Sequence, residues 1–94
     1  MLLVGVLKAQ TGRISGTIVD SKTGETLPGA TILIEGTTKG ASADFDGKFA
    51  INNVPVGKVN LITAYISYTQ KKITGVEVKA NDVTEVNVQL DPST

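Results

Sequence analysis

The chain has 94 residues, nine basic and nine acidic, for zero formal net charge. That length makes one domain, burying roughly 60–65% of its unfolded surface, enough for one two-layer core but not for a deep cleft between lobes. With no histidine and no cysteine, Ser-His-Asp and Cys-His nucleophiles, thiol redox chemistry, disulfides and His/Cys zinc sites are excluded, and the balanced charge offers no basic stripe for nucleic acid.

The segment from Met1 to Leu7 is apolar and gives way to Lys8, Ala9 and Gln10. It is too short for a membrane span, which needs about 20 apolar residues. Two readings stay open for residues 1–11. One is the tail of a secretory signal, with Ala9 as the small residue before a cut. It has no positive region ahead of it, and Leu7 is not small. The other is an extra β-strand retained at a sheet edge. Residues 12–91 read as one sandwich domain and residues 92–94 as a tail.

From Arg13 onward the apolar pattern has period two, broken by glycine and proline, the mark of half-buried strands joined by turns. Ile14, Gly16 and Ile18 alternate with Ser15, Thr17 and Val19. Asp20 to Gly24 supplies a turn, and Pro28-Gly29 a second one. Ala30, Ile32 and Ile34 give the next strand its apolar face. A polar loop from Gly36 to Gly40 and a short strand over Ala41-Ser42-Ala43 follow. Asp46-Gly47 between alternating residues is a hairpin signal, and Phe49 and Ile51 continue beyond it. After Val54-Pro55-Val56-Gly57, residues 58–68 form the longest predicted strand, apolar on both faces and therefore central. Ile73 to Val78 is a further strand, with a bulge near Gly75. Asn81-Asp82 turns into the last strand, where Thr84, Val86, Val88 and Leu90 alternate with Glu85, Asn87 and Gln89. Seven short strands at spacings of about ten residues, with no helical periodicity, predict an all-β fold: a seven-stranded, two-sheet antiparallel sandwich, transthyretin-like or Ig-like.

The runs Ile14-Ser15-Gly16-Thr17-Ile18-Val19-Asp20, Thr23-Gly24-Glu25 and Leu27-Pro28-Gly29-Ala30-Thr31-Ile32 closely resemble the carboxypeptidase-regulatory-like domain. Gly36 to Gly40, Asp44-x-Asp46-Gly47-x-Phe49 and Tyr65-Ile66-Ser67-Tyr68 match it in the same order. Ser67 departs from it, standing where that family commonly has glycine. The resemblance implies a transthyretin-like sandwich without catalytic residues. It also implies a setting at the N-terminus of TonB-dependent outer-membrane receptors, particularly glycan importers, in the periplasm ahead of the plug.

Each candidate site competes with a structural role. Asp44 and Asp46 are the weak metal candidates. Counted from Asp44, an EF-hand loop would need an acidic or amide residue at Lys48 and glycine at Phe49, so the hairpin turn is the stronger reading. Gly24 and Gly29 have four residues between them, but Ala30-Thr31 follows where a phosphate loop needs Lys-Ser/Thr. Gly24, Pro28, Gly29, Asp46, Gly47 and Gly57 are therefore assigned to structural turns. Glu77, Asp82 and Glu85 are solvated charges. Thr37, Thr38, Lys39 and Ser42 form a polar patch that could contact a glycan or a partner.

No set of nucleophile, base and stabiliser can be assembled, so a non-catalytic module without cofactors is expected. Its expected partners are other envelope proteins, or a second copy through sheet edges. Nucleic acid and a membrane span in this chain are not expected. The expected location is outside the cytoplasm, at the periplasm, outer membrane or cell surface of a Gram-negative bacterium. Two alternatives stand beside the receptor setting: a free-standing secreted or surface subunit assembling by edge pairing, and a weak carbohydrate-binding module.

Overall fold

A computed structural model describes residues 10–93. The expected strand over Met1 to Leu7 lies outside the described residues. Eight strand segments follow one another: β1 (Thr11–Asp20), β2 (Thr31–Ile34), β3 (Gly40–Ser42), β4 (Lys48–Pro55), β5 (Gly57–Ala64), β6 (Lys71–Val78), β7 (Val83–Glu85) and β8 (Val88–Leu90). They form two four-stranded sheets. One carries β4, β1 and β7 in that order with β8 also on β1, and the other runs β3-β2-β5-β6.

The alternation in sequence becomes the core because every second side chain of a strand faces the opposite sheet. Ile14, Ile18, Phe49, Ile51, Val54, Val88 and Leu90 of the first sheet meet Ile32, Ile34, Leu61, Val76 and Val78 of the second, all buried. Leu27, Ala30 and Ala43 close the core from the connecting segments. The fold is thus the all-β, two-sheet sandwich.

Three features differ in detail from the sequence expectation. First, the sandwich is not wholly antiparallel: β7 and β8 both run parallel to β1, pairing at Arg13–Ser15 and Ile18–Asp20 respectively. Alternation alone carries no information about strand direction; the crossover from β6 to the first sheet sets it. Second, the predicted last strand is split at Val86 and Asn87. The Val86 N–H donates to the Ser15 carbonyl (2.8 Å), and the Thr17 N–H donates to the Asn87 side-chain oxygen (3.2 Å). The Val86 carbonyl lies where a side chain at Gly16 would begin, 1.7 Å from an ideal Cβ. Only a residue without Cβ permits that approach. Counted as one interrupted strand, β7 and β8 bring the total to seven.

Third, the long strand ends at Ala64, four residues before Tyr68. A turn takes over, closed by a Tyr68 N–H to Tyr65 carbonyl bond of 3.0 Å, with Ser67 at φ 71°. Irregularities elsewhere follow local chemistry. In β6 the register against β5 shifts between Val76 and Ile73. There the Asn60 side-chain oxygen accepts the Gly75 N–H (3.0 Å), and Gly75 has φ 70°. Such a bulge leaves one donor unpaired in the ladder, and the carboxamide satisfies it.

Candidate functional site

The surface most unlike a solvated one is apolar and built from two turns. Phe45 is 93% exposed and Ile66 is 82% exposed. Phe45 sits at the tip of the turn between β3 and β4; the hairpin expected at Asp46-Gly47 does not form, because β3 pairs with β2 and β4 with β1, and the turn passes from one sheet to the other. There the Asp44 carboxylate accepts the N–H groups of Asp46 and Lys48, both at 2.9 Å, and the Gly47 N–H donates to the Asp44 carbonyl (2.9 Å). Gly47 has φ 75°, and a Cβ there would stand 2.7 Å from the Thr26 side chain. The turn is consequently tight, and Phe45 is pushed outward.

Ile66 occupies the outer corner of the turn after β5. Tyr65 precedes it and lies against Gly29, 3.8 Å from the position a Cβ would take. Backbone bonds from Gly29 N–H to the Ala43 carbonyl (2.9 Å) and from Ala43 N–H to the Ala30 carbonyl (2.8 Å) tie the Pro28-Gly29 turn to the segment that leads into Phe45. A depression of about 420 Å³ lined by Pro28, Gly29, Ala43, Asp44 and Phe45 adjoins one of about 310 Å³ lined by Gly29, Thr31, Ala64, Tyr65 and Ile66, both mostly apolar. Because Gly29 lines both, the two make one apolar surface from Phe45 to Ile66.

The Ile66 turn is held from behind by a polar clasp. The Tyr68 hydroxyl donates to Asp20 Oδ2 (2.6 Å), while Asp20 Oδ1 accepts the N–H groups of Lys22 (2.6 Å) and Thr23 (3.0 Å). The Tyr68 hydroxyl, then the two backbone donors, hold the Asp20 carboxyl below the usual carboxylate range. Reciprocally, hydrogen bonding to Asp20, with desolvation, pushes the Tyr68 phenol up to about 12. Ser21 Oγ donates to Asp91 Oδ1. The chain end joins the same turn: Thr69 N–H donates to the Asp91 carbonyl (2.8 Å), Ser93 N–H to the Ser67 carbonyl (3.0 Å), and Pro92 bridges Tyr68 antiparallel.

The residues singled out in the sequence are spread over the molecule. Gly24 ends the turn after β1, Pro28 and Gly29 line the apolar surface, and Gly57 opens β5 after the crossover between sheets. Asp44 is engaged by its own turn, and Asp46 is exposed beside it. Among the described residues no group of three or more acidic side chains converges on a metal-sized site. Thr37, Thr38 and Lys39 lie in the β2–β3 turn, where Thr37 Oγ1 donates to the Ile34 carbonyl (2.8 Å); Ser42 is at the far end of β3, opposite Thr31. The structure does not gather them with Phe45 and Ile66.

Those two residues escape the sequence reading. Phe45 is hidden in a turn motif, and Ile66 is assigned to a face of a strand that ends before it. A large apolar residue flanked by two aspartates in a turn is the signal that marks Phe45.

Three of the four sheet edges, β4, β6 and the β7–β8 side, carry a side-chain clip. Lys39 Nζ donates to the Asn52 carbonyl on β4 (3.2 Å). On the other side Lys71 Nζ donates to the Gln89 carbonyl (3.1 Å) and Thr84 Oγ1 to the Glu77 carbonyl (2.8 Å). These bonds occupy edge carbonyls that a foreign strand would need.

Against known proteins, a family profile described as the CarboxypepD_reg-like domain matches residues 14–94. The chain is 35% identical over 91 residues to TonB-dependent receptor P3 of Formosa agariphila, covering 96% of this chain and 8% of the receptor. It is 39% identical over 79 residues to TonB-dependent receptor P26 of the same organism, covering 83% of this chain and 8% of the receptor. The chain therefore spans under a tenth of these relatives' length. Among solved structures, a chain in the type II cohesin–X-dockerin complex of Acetivibrio cellulolyticus superposes with a TM-score of 0.70 at 30% identity, covering 82% of this chain and 52% of that one.

Proposed function

The chain belongs to the CarboxypepD_reg-like domain family, and from that premise we propose a non-catalytic interaction module of a bacterial envelope protein, the periplasmic N-terminal accessory domain of a TonB-dependent receptor. The observation that carries this reading is the match to two such receptors over 96% and 83% of the chain. The sandwich supplies a rigid support, and the two turns bearing Phe45 and Ile66 supply contact chemistry suited to protein rather than to a reacting substrate. The clipped edges favour docking through the turns over strand addition.

The test is protease accessibility of the gene's full product in its native envelope. The domain is expected to resist external protease in intact cells and to be cut once the outer membrane is permeabilised. Cleavage in intact cells would place the domain on the cell surface and overturn the periplasmic assignment.

A further inference from the structure

An exposed apolar surface needs an occupant, and the path of the chain end points to one. Pro92 pairs antiparallel with Tyr68, and Ser93 N–H donates to the Ser67 carbonyl at 3.0 Å. The ladder stops at the turn, because the Tyr65 carbonyl already accepts the Tyr68 N–H. Polypeptide continuing from Ser93 therefore leaves the fold beside the Ile66 turn, on the side where Tyr65, Gly29 and Phe45 share one surface. The clasp of Tyr68 on Asp20 fixes the Ile66 turn, so this exit point is built into the fold.

We propose that the polypeptide following residue 94 in a receptor-length protein docks on the Ile66–Tyr65–Gly29–Phe45 surface, laying apolar side chains into its two depressions. The proposal rests on the receptor reading above, in which this chain is a small part of a longer one. The surface comprises two adjoining hollows of about 310 and 420 Å³, each sized for one or two side chains of an extended segment. An occupant tethered at Ser93 reaches them at high effective concentration, so even a modest apolar contact is populated. The domain then does not swing freely: it is held at a set angle to whatever follows it.

The experiment compares two lengths of the same protein, the 94-residue chain and the chain extended through the next domain encoded downstream. Ile66→Asp and Phe45→Asp are introduced into both, and thermal melting is followed by circular dichroism. In the short form the side chains are 82% and 93% exposed, so the substitutions are expected to leave Tm nearly unchanged, which also shows that the variants fold. In the long form each is expected to lower the Tm of this domain by roughly 4–8 °C. Equal shifts in the two lengths, or none in the long form, overturn the proposal. So does a short form that is dimeric by light scattering and dissociates on Ile66→Asp, since the occupant is then a second copy. A stop codon directly after Thr94 removes the receptor reading itself; a downstream domain without the length-dependent shift removes only the docking.

Discussion

Asp20 is a buried carboxylate at the end of β1, on an inward face otherwise made of glycine and isoleucine, and its three donors decide how the domain responds to acid. Its carboxyl titrates below the ordinary value when folded, so its contribution to stability is present above about pH 4, the unfolded value, and is lost as pH falls through the folded one. Tyr68→Phe removes the largest cause of that shift. The variant is expected to melt lower at neutral pH and to show a shallower loss between neutral and acid, read as Tm against pH. At the alkaline end the sign reverses. The Tyr68 phenol is raised to about 12, so its stabilisation is complete below pH 10 and fades as pH climbs towards 12. Tyrosinate absorbance of a Tyr65→Phe protein should show this late titration; ionisation near pH 10 would mean that the clasp is open in solution. Ser67 is a second residue-scale case. Its φ of 71° costs a side-chain-bearing residue about 1–2 kcal/mol, a cost that glycine does not carry. Ser67→Gly should be neutral or stabilising by up to about 1 kcal/mol in chemical denaturation, whereas Ser67→Val should be clearly destabilising.

Strands β7 and β8 show what an element needs beyond its own pattern. Thr84, Val86, Val88 and Leu90 alternate without a break, yet the strand is interrupted because the Val86 carbonyl drops onto Gly16 of β1. Gly16→Ala puts a methyl group into that carbonyl and should cost about 3 kcal/mol or more, since backbone must move rather than a flexible side chain. An unchanged denaturation midpoint would show that the Val86 carbonyl does not press on Gly16 in solution. The edges make a second prediction at this scale. Lys39 and Lys71 each hold a carbonyl of the opposite sheet. Replacing both by leucine frees those carbonyls and removes two charges that deter strand addition. The double variant is expected to self-associate at concentrations where the parent chain keeps its mass in light scattering; equal masses would count against edge protection.

At the scale of the molecule, one core made by two sheets holds everything in place, and Leu61 lies at its centre on β5, fully buried. Leu61→Ala should cost about 2–5 kcal/mol through lost burial and an unfilled cavity. Against the 5–15 kcal/mol typical of a domain, that is enough to lower the denaturation midpoint sharply while leaving the outer surfaces alone. By contrast, Phe45 and Ile66 contribute little to the isolated fold and are free to serve contact.

The sequence by itself determined the all-β class, the places of the turns and most of the core, because alternation of side chains across a strand is a local rule that Ile14, Ile32, Phe49 and Val88 obey. It also determined the family, through motifs that run in order along the chain. Strand direction, the interruption at Val86 and the end of the long strand at Ala64 were decided by tertiary structure. Each depends on contacts between residues far apart: Val86 with Gly16, Asn87 with Thr17, Tyr68 with Asp20. The apolar surface belongs to the same class. Phe45 and Ile66 are 21 positions apart in the sequence, and only the packing of Tyr65 over Gly29 joins their two turns into one face.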